Sequence, residues 1–396
     1  MHETAKPLEK LGAHFDFQPR TRLLVGPGAV ERTGEIVREL GASKVLLVTD
    51  AGLVAAGHAA HVIKSLEADG VSSVLFDRVR ENPTTRCVDD CLAVAKASGI
   101  EAIIGLGGGS SMDTAKGCNF LLTNGGQMKD YWGVGKATKA MLPLVAIPTT
   151  AGTGSECQSA ALIADEVTHQ KMACLDPKAA ARVAILDPAL TVSQPARVTA
   201  CTGIDAIAHA VETAVTKKRN PFSLMFSHEA FKLLAPAFPS VLENPQDLEA
   251  RGRMLLGAAF AGTAIENSML GAAHSTANPL TAHYDIIHGQ AVGLMLPHVI
   301  RFNAADEATR RAYAELASAP EIAAVSNGLE PAVEALVSAV QEWLELAKMP
   351  ARLGDCGVPR KDLPKLAAEA ARQWTANFNP RAVSEEDFLA LYDAAY

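Results

Sequence analysis

A chain of 396 residues exceeds one ordinary domain and predicts two, each with its own core. Hydrophobic residues at 48% and charged ones at 20% exclude a disordered or fibrous protein. A net charge of −8 argues against nucleic acid and against an anionic membrane surface as partners.

The opening stretch Met1–Lys10 is polar and carries no charged-then-apolar leader. No apolar run approaches the roughly 20 residues that span a bilayer, so no membrane partner and a cytoplasmic address are expected. Next come short β-branched runs alternating with amphipathic helices. Thr21–Val25 reads as a strand, Ala29–Leu40 as a helix ending at Gly41, and Lys44–Thr49 as a strand closed by Asp50. Ala59–Ala68 is helical, Val74–Phe76 a strand, and Asn82-Pro83-Thr84 turns the chain into a helix over Thr85–Ser98. Ala102–Leu106 and Leu144–Pro148 are apolar strands. Strands separated by helices of this length imply a parallel sheet with crossover helices.

The texture changes near residues 187–195. Alanine- and leucine-rich segments of helical period follow: Gly203–Val215, Ser223–Ala235, Asp247–Glu266, Pro331–Ala347, Leu363–Gln373 and Glu385–Ala394. No strand is read there. The expected organisation is an α/β domain over 1–190 and an all-helical domain over 191–396. Seven cysteines without paired spacing do not form a disulfide framework, and Cys87 and Cys91 read as small apolar helix residues.

Two stretches carry chemistry. Gly105-Leu106-Gly107-Gly108-Gly109-Ser110-Ser111-Met112-Asp113 follows an apolar strand and opens a helix. Its glycines let the backbone approach a ligand closely, and the first helical turn points amides at an anion. It lacks the Gly-x-Gly-x-x-Gly spacing, and Ser110 with Asp113 also fits a helix-start pattern. On these residues alone, phosphate binding and plain capping both stay open.

The second stretch runs from Asp205 to His288. Asp205 and His209 are four apart and share a helix face; His274 and His288 add two imidazoles. Such residues also occur as capping pairs or satisfied core histidines. Together, in an Ala-, Gly- and Leu-rich setting, they would be costly to bury without a shared partner. A divalent cation is the simplest one, and iron or zinc fits one carboxylate and three imidazoles best.

Gly-Ile-Asp205-Ala-Ile-Ala-His209, then Gly-x-x-His274, then His288-Gly289 fourteen residues later resemble the iron-containing alcohol dehydrogenase family. The glycine turn is similar to that family's pyrophosphate-binding turn. Ile147-Pro148-Thr149-Thr150-Ala151-Gly152-Thr153-Gly154-Ser155-Glu156 matches a second block of its cofactor cleft. Further agreements run from Phe17-x-Pro19-Arg20 to Asn379-Pro380-Arg381.

The resemblance implies an α/β dinucleotide-binding domain with a parallel sheet, plus an all-α metal-binding domain, as in the dehydroquinate synthase-like fold. It implies Asp205, His209, His274 and His288 as metal ligands. It assigns Asp50, Asn82, Gly107, Gly108, Gly109, Ser110, Asp113, Thr149, Thr150, Thr153 and Lys171 to the cofactor. Asp50 ends a strand where a carboxylate accepts hydrogen bonds from the adenosine ribose, so NAD is expected over NADP.

The implied activity is hydride exchange between a primary or small secondary alcohol, or the matching aldehyde, and the dinucleotide. Its site would lie in a cleft between the domains, with iron(II) favoured over zinc and a homodimer as the assembly. One position departs: the family has a histidine where this chain has Asn278. Asn278 and His283 are therefore the candidates for the catalytic proton path, His283 as the substitute. Alternative readings are a maleylacetate reductase-like or glycerol dehydrogenase-like oxidoreductase, or a non-catalytic dinucleotide sensor.

Overall fold

The structure, a computed structural model, describes residues 15–168 and 170–396; the polar Met1–Lys10 stretch lies outside them. It divides into two compact units. An α/β unit holds Pro19–Pro195 and Pro245–Gly262. A helical unit holds Ala196–Asn244 and Thr263–Tyr396, with residues 15–18.

In the α/β unit the order is β1 Arg22–Val25, α1 Thr33–Glu39, β2 Lys44–Val48, α2 Ala51–Ala55, α3 His58–Ala68, β3 Ser72–Phe76 and α4 Thr85–Ser98. It continues with β4 Ala102–Gly107, α5 Gly109–Asn124, β5 Gly133–Val134, β6 Leu144–Pro148, β7 Ala160–Ala164, β8 Lys171–Leu175 and β9 Val183–Leu186. Six strands form a fully parallel sheet in the order β1-β9-β6-β4-β2-β3, with Leu47 beside Ile104 and Ile104 beside Val145. Every residue of β4 is buried. Its Ile103, Ile104 and Leu106 each contribute about 1.5–3 kcal/mol by leaving water. The parallel sheet matches the expectation.

Among the features of this unit that were not read from the sequence, three bear on its architecture. The Ala29–Leu40 helix begins as a tight 3-10 turn over Ala29–Arg32 before α1. Strands β7 and β8 pair antiparallel and, with β5, form a second small sheet. Strand β9 completes the large one between β1 and β6. Helix α5 packs against both β4 and β7, and is buried from Ser111 to Leu121. This double cover places the glycine turn at the C-terminal end of β4.

The helical unit begins with α6 Ala196–Thr213 and α7 Pro221–Glu243. Helix α8, Leu248–Ser268, gives its residues through Gly262 to the α/β unit and the rest to the helical one. Then follow α9 Ala272–Tyr284, α10 His288–Asn303, α11 Glu307–Ser318, α12 Leu329–Leu346, α13 Leu363–Ala371 and α14 Glu385–Ala394. Helix α7 runs on past Ala235, where the sequence reading stops it, through Pro236 and Pro239. Burial of Ala237, Phe238 and Val241 offsets the lost amide bonds. No helix of the described residues is long and apolar enough to cross a membrane. Cys87 and Cys91 are free and buried on α4, as read.

Helix α10 approaches α6 on two small residues. A Cβ at Gly289 would stand 1.9 Å from the Cys201 carbonyl oxygen, and one at Gly293 2.5 Å from Ile204 Cγ2. That closeness carries His288, at the first turn of α10, beside Asp205 of α6.

Candidate metal centre and cofactor cleft

Three helices of the helical unit aim ligands at one point. Asp205 Oδ1 stands 3.5 Å from His209 Nε2, 3.4 Å from His274 Nε2 and 3.9 Å from His288 Nε2. Ligand atoms of Asp205, His209 and His274 all lie within 4.8 Å of one another. Four donors about 2.1 Å from a tetrahedral ion stand about 3.4 Å apart, so these separations suit a shared cation better than direct hydrogen bonds. Asp205 Oδ1 and His274 Nε2 are buried and lack a hydrogen-bond partner. A buried carboxylate oxygen left so is expensive, and an ion satisfies both atoms at once. The residues present therefore fit a divalent metal. Asp205, His209 and His274 are almost fully covered, whereas the His288 side chain is 35% exposed, so the set opens on its His288 side.

Electrostatics agree. Burial pushes the Asp205 carboxyl up, yet His209, His274 and His288 hold it well below the usual carboxylate range. Burial disfavours the charged His274 ring, but Glu212 and Asp205 raise it to about 9. A cation entering this set would compete with a proton for His274.

Glu212, unnoticed in the sequence, lies behind His274. It is on α6, seven residues after Asp205 and so on the same helix face. One carboxylate oxygen contacts His274 Nδ1; the other accepts from the Ala273 amide at 2.7 Å. Asn379 Oδ1 accepts from the Ala272 amide at 3.2 Å and from Asn303 Nδ2 at 3.1 Å. The periodicity from Asp205 was the available signal for Glu212.

The two proposed proton carriers sit on α9 with other partners. Asn278 Nδ2 donates to Gln373 Oε1 at 3.0 Å, and His283 Nε2 is 2.7 Å from Glu369 Oε2 of α13. His283 is thus tied to α13 by a hydrogen bond.

In the α/β unit, a cleft of about 440 Å³ is lined by Asp50, Gly52, Arg80, Glu81, Gly108, Ser110 and Ser111. Asp50 caps α2, its Oδ1 accepting from the Leu53 amide at 3.0 Å. Gly107 has φ +142°, outside the range of ordinary side chains. A Cβ at Gly108 would meet Thr150 Oγ1 at 3.2 Å, and one at Gly109 would meet Thr153 Cγ2 at 2.9 Å. The glycines thus serve to seat the threonine loop as well as to open the turn. The Thr149 amide donates to the Gly107 carbonyl at 3.1 Å. Helix α5 starts without a side-chain cap, so Ser110 and Asp113 do not form the capping pattern. Asp113 instead accepts from Ser155 Oγ at 3.2 Å. Asn82 has φ +50° just beyond Glu81 of the cleft wall, and Lys171 opens β8 near enough to bias the Asp113 carboxyl.

Beneath this loop lies a charge cluster the sequence did not reveal. Lys116 is fully buried, donating to Ser155 O at 2.6 Å, Ser155 Oγ at 2.9 Å and Ala160 O at 3.0 Å. Burial lifts the Glu156 carboxyl to about 7, against the pull of Lys116, and Glu156 Oε1 has no hydrogen-bond partner.

Residues 19–188 match the family description "Iron-containing alcohol dehydrogenase", and residues 199–396 match "Fe-containing alcohol dehydrogenase family, C-terminal". The chain is 34% identical over 368 residues to the NAD-dependent methanol dehydrogenase of Bacillus methanolicus, covering 93% of this chain and 96% of that one. It is 34% identical over 373 residues to the lactaldehyde reductase of Escherichia coli K12, covering 94% and 97%. The solved alcohol dehydrogenase from Oenococcus oeni superposes with a TM-score of 0.93 at 31% identity, over 97% of this chain and 100% of that one.

Proposed function

Because the chain belongs to the iron-containing alcohol dehydrogenase family, and is with it an alcohol and aldehyde oxidoreductase, we propose the finer reading that follows. It takes a small primary or secondary alcohol, or the corresponding aldehyde, and uses NAD in preference to NADP. Asp205, His209, His274 and His288 hold a divalent ion, with iron(II) the first choice and zinc the second. The observation that carries this is the pair of buried, unpartnered atoms, Asp205 Oδ1 and His274 Nε2, facing two further imidazoles.

Bound there, such an ion would supply Lewis-acid polarisation of a substrate oxygen, and the dinucleotide would supply the hydride acceptor or donor. The rest falls to the chain. Asp205 lowers the net charge of the centre, and the histidine rings fix where a substrate oxygen is received. The open side at His288 admits it. In the α/β unit, amides of the α5 first turn and the helix dipole favour a pyrophosphate. Asp50 keeps one oxygen on its cap, and a second remains for ribose hydroxyls; a 2′-phosphate there meets like charge. Asn278 cannot take up a proton, so its amide serves to place groups, not to relay. His283, held by Glu369, is the next histidine of α9 after Asn278 and the residue proposed to serve in its place. A homodimer is the proposed assembly, supported by β1 standing at the edge of the six-stranded sheet.

The test is alcohol-dependent NAD reduction by protein stripped of metal and then reloaded with iron(II) or zinc. Activity falls on stripping and returns on loading, and His209→Ala stays inactive while melting as a folded protein. Turnover that survives complete stripping would reject the metal assignment.

A further inference from the structure

The four ligands explain how an ion is held, but not why His274 presents one particular nitrogen to it. Imidazole offers two, and in neutral form only one carries a lone pair. Here Nδ1 faces the Glu212 carboxylate and Nε2 faces Asp205, 3.4 Å away. Both neighbours are carboxylates that accept and cannot donate, but the Glu212 contact is the direct hydrogen bond while the Asp205 separation suits a shared ion. With that ion bound, the proton belongs on Nδ1 and the lone pair on Nε2. Glu212 is itself held: its second oxygen accepts from Ala273, an amide of the α9 first turn that no residue of the helix could satisfy. Gly271, the residue before α9, permits this, since a Cβ there would stand 3.1 Å from Glu212 Oε1 and 2.9 Å from Asn379 Oδ1. Glu212 is 2% exposed and Asp205 5% exposed, so two carboxylates are buried within one side chain of each other. A divalent ion balances two negative charges, and a second carboxylate behind a ligand raises the ring's donor strength.

We propose that Glu212 is the positioning residue of the metal centre, holding His274 in the Nδ1–H tautomer and supplying the second negative charge that a buried divalent cation needs. This rests on the metal reading given above. Asn379 does the neighbouring job without touching the ring, anchoring Ala272 at the same helix end. The pair of residues therefore separates orientation of the ligand from anchoring of the helix.

The experiment titrates metal-stripped, full-length protein with Co2+ against a chromogenic chelator, and records the visible cobalt bands and the melting temperature of the stripped protein. Glu212→Gln keeps the length but cannot satisfy both contacts without opposing one donor to another. It should bind Co2+ roughly 10–100-fold more weakly and with shifted bands. Asn379→Ala should keep the parent's Co2+ affinity and bands to within about threefold, even where it melts lower. Unchanged affinity and bands in Glu212→Gln would overturn the proposal, and so would an equal loss in Asn379→Ala. Failure of the parent protein to take up Co2+ at all would instead bring down the metal reading itself. Should Glu212→Gln not fold, histidine ring NMR on the zinc-loaded parent decides, with His274 assigned through His274→Gln. A proton on Nδ1 supports the proposal, and one on Nε2 ends it.

Discussion

Gly289 of α10 lies against Cys201 of α6 so closely that one added carbon would stand 1.9 Å from the Cys201 carbonyl oxygen. Backbone cannot yield to that contact without moving a helix, and His288 is the neighbouring residue. Gly289→Ala is therefore expected to lower stability by about 1–3 kcal/mol and to weaken divalent metal binding, measured by thermal melts and chelator competition. Gly252→Ala is the contrast: its Cβ would meet only Pro188 at 3.9 Å. In mid-helix it should stabilise by about 0.5–1 kcal/mol and leave metal binding alone.

Glu156 supplies a pH dependence whose sign follows from its burial. The folded chain holds this carboxyl at about 7 against an ordinary 4.5. Below the ordinary value both folded and unfolded chains are protonated there, and no difference arises. Between the two values the unfolded chain has released its proton and the folded chain has not, so stability falls as pH rises. Above about 7 the loss levels off at about 3 kcal/mol, with Lys116 the cation that limits it. Glu156→Gln removes the ionisation. The stability gap between this variant and the parent should widen from pH 5 to pH 8 in denaturant titrations; a gap constant with pH would mean the carboxyl is ionised throughout.

Asp50 combines a cap and a charge, and substitution can separate them. Asp50→Ser keeps an oxygen for the Leu53 amide and removes the negative charge. Melting should stay within about 0.5 kcal/mol of the parent while the preference for NAD over NADP, as a ratio of kcat/KM, drops on the order of tenfold. Asp50→Ala should lose about 1 kcal/mol besides.

Asn278→His places an imidazole one helical turn beyond His274, where Gln373 now holds an amide. Metal affinity should hold to within about threefold, and the pH profile of kcat/KM should gain an ionisation near about 6.5. A profile identical to the parent's would take position 278 out of the proton path.

The parallel sheet and the helical second half were legible because period and turn chemistry are local. The candidate metal-binding cluster was legible because Asp205 and His209 share a helix face and His274 and His288 sit in short, distinctive contexts. What escaped depends on distant partners. Glu212 contacts His274, 62 residues later; its helical spacing from Asp205 marks the face it lies on but not the partner it meets there. Strands β7 and β8 are short alanine-containing segments that pair with each other, and β7 packs on α5, a partner distant in sequence. The role of Asp113 changed for the same reason: Ser155, far along the chain, offers it a bond that replaces a helix cap.

The interlock of Gly108 and Gly109 with Thr150 and Thr153 has one more consequence. Two segments some forty positions apart constrain each other's size, so neither can drift alone. A bulkier residue in the turn would be accommodated only alongside a smaller one in the loop. Such paired exchanges, tried as a reciprocal swap, are how this corner of the protein could be rebuilt without losing its shape.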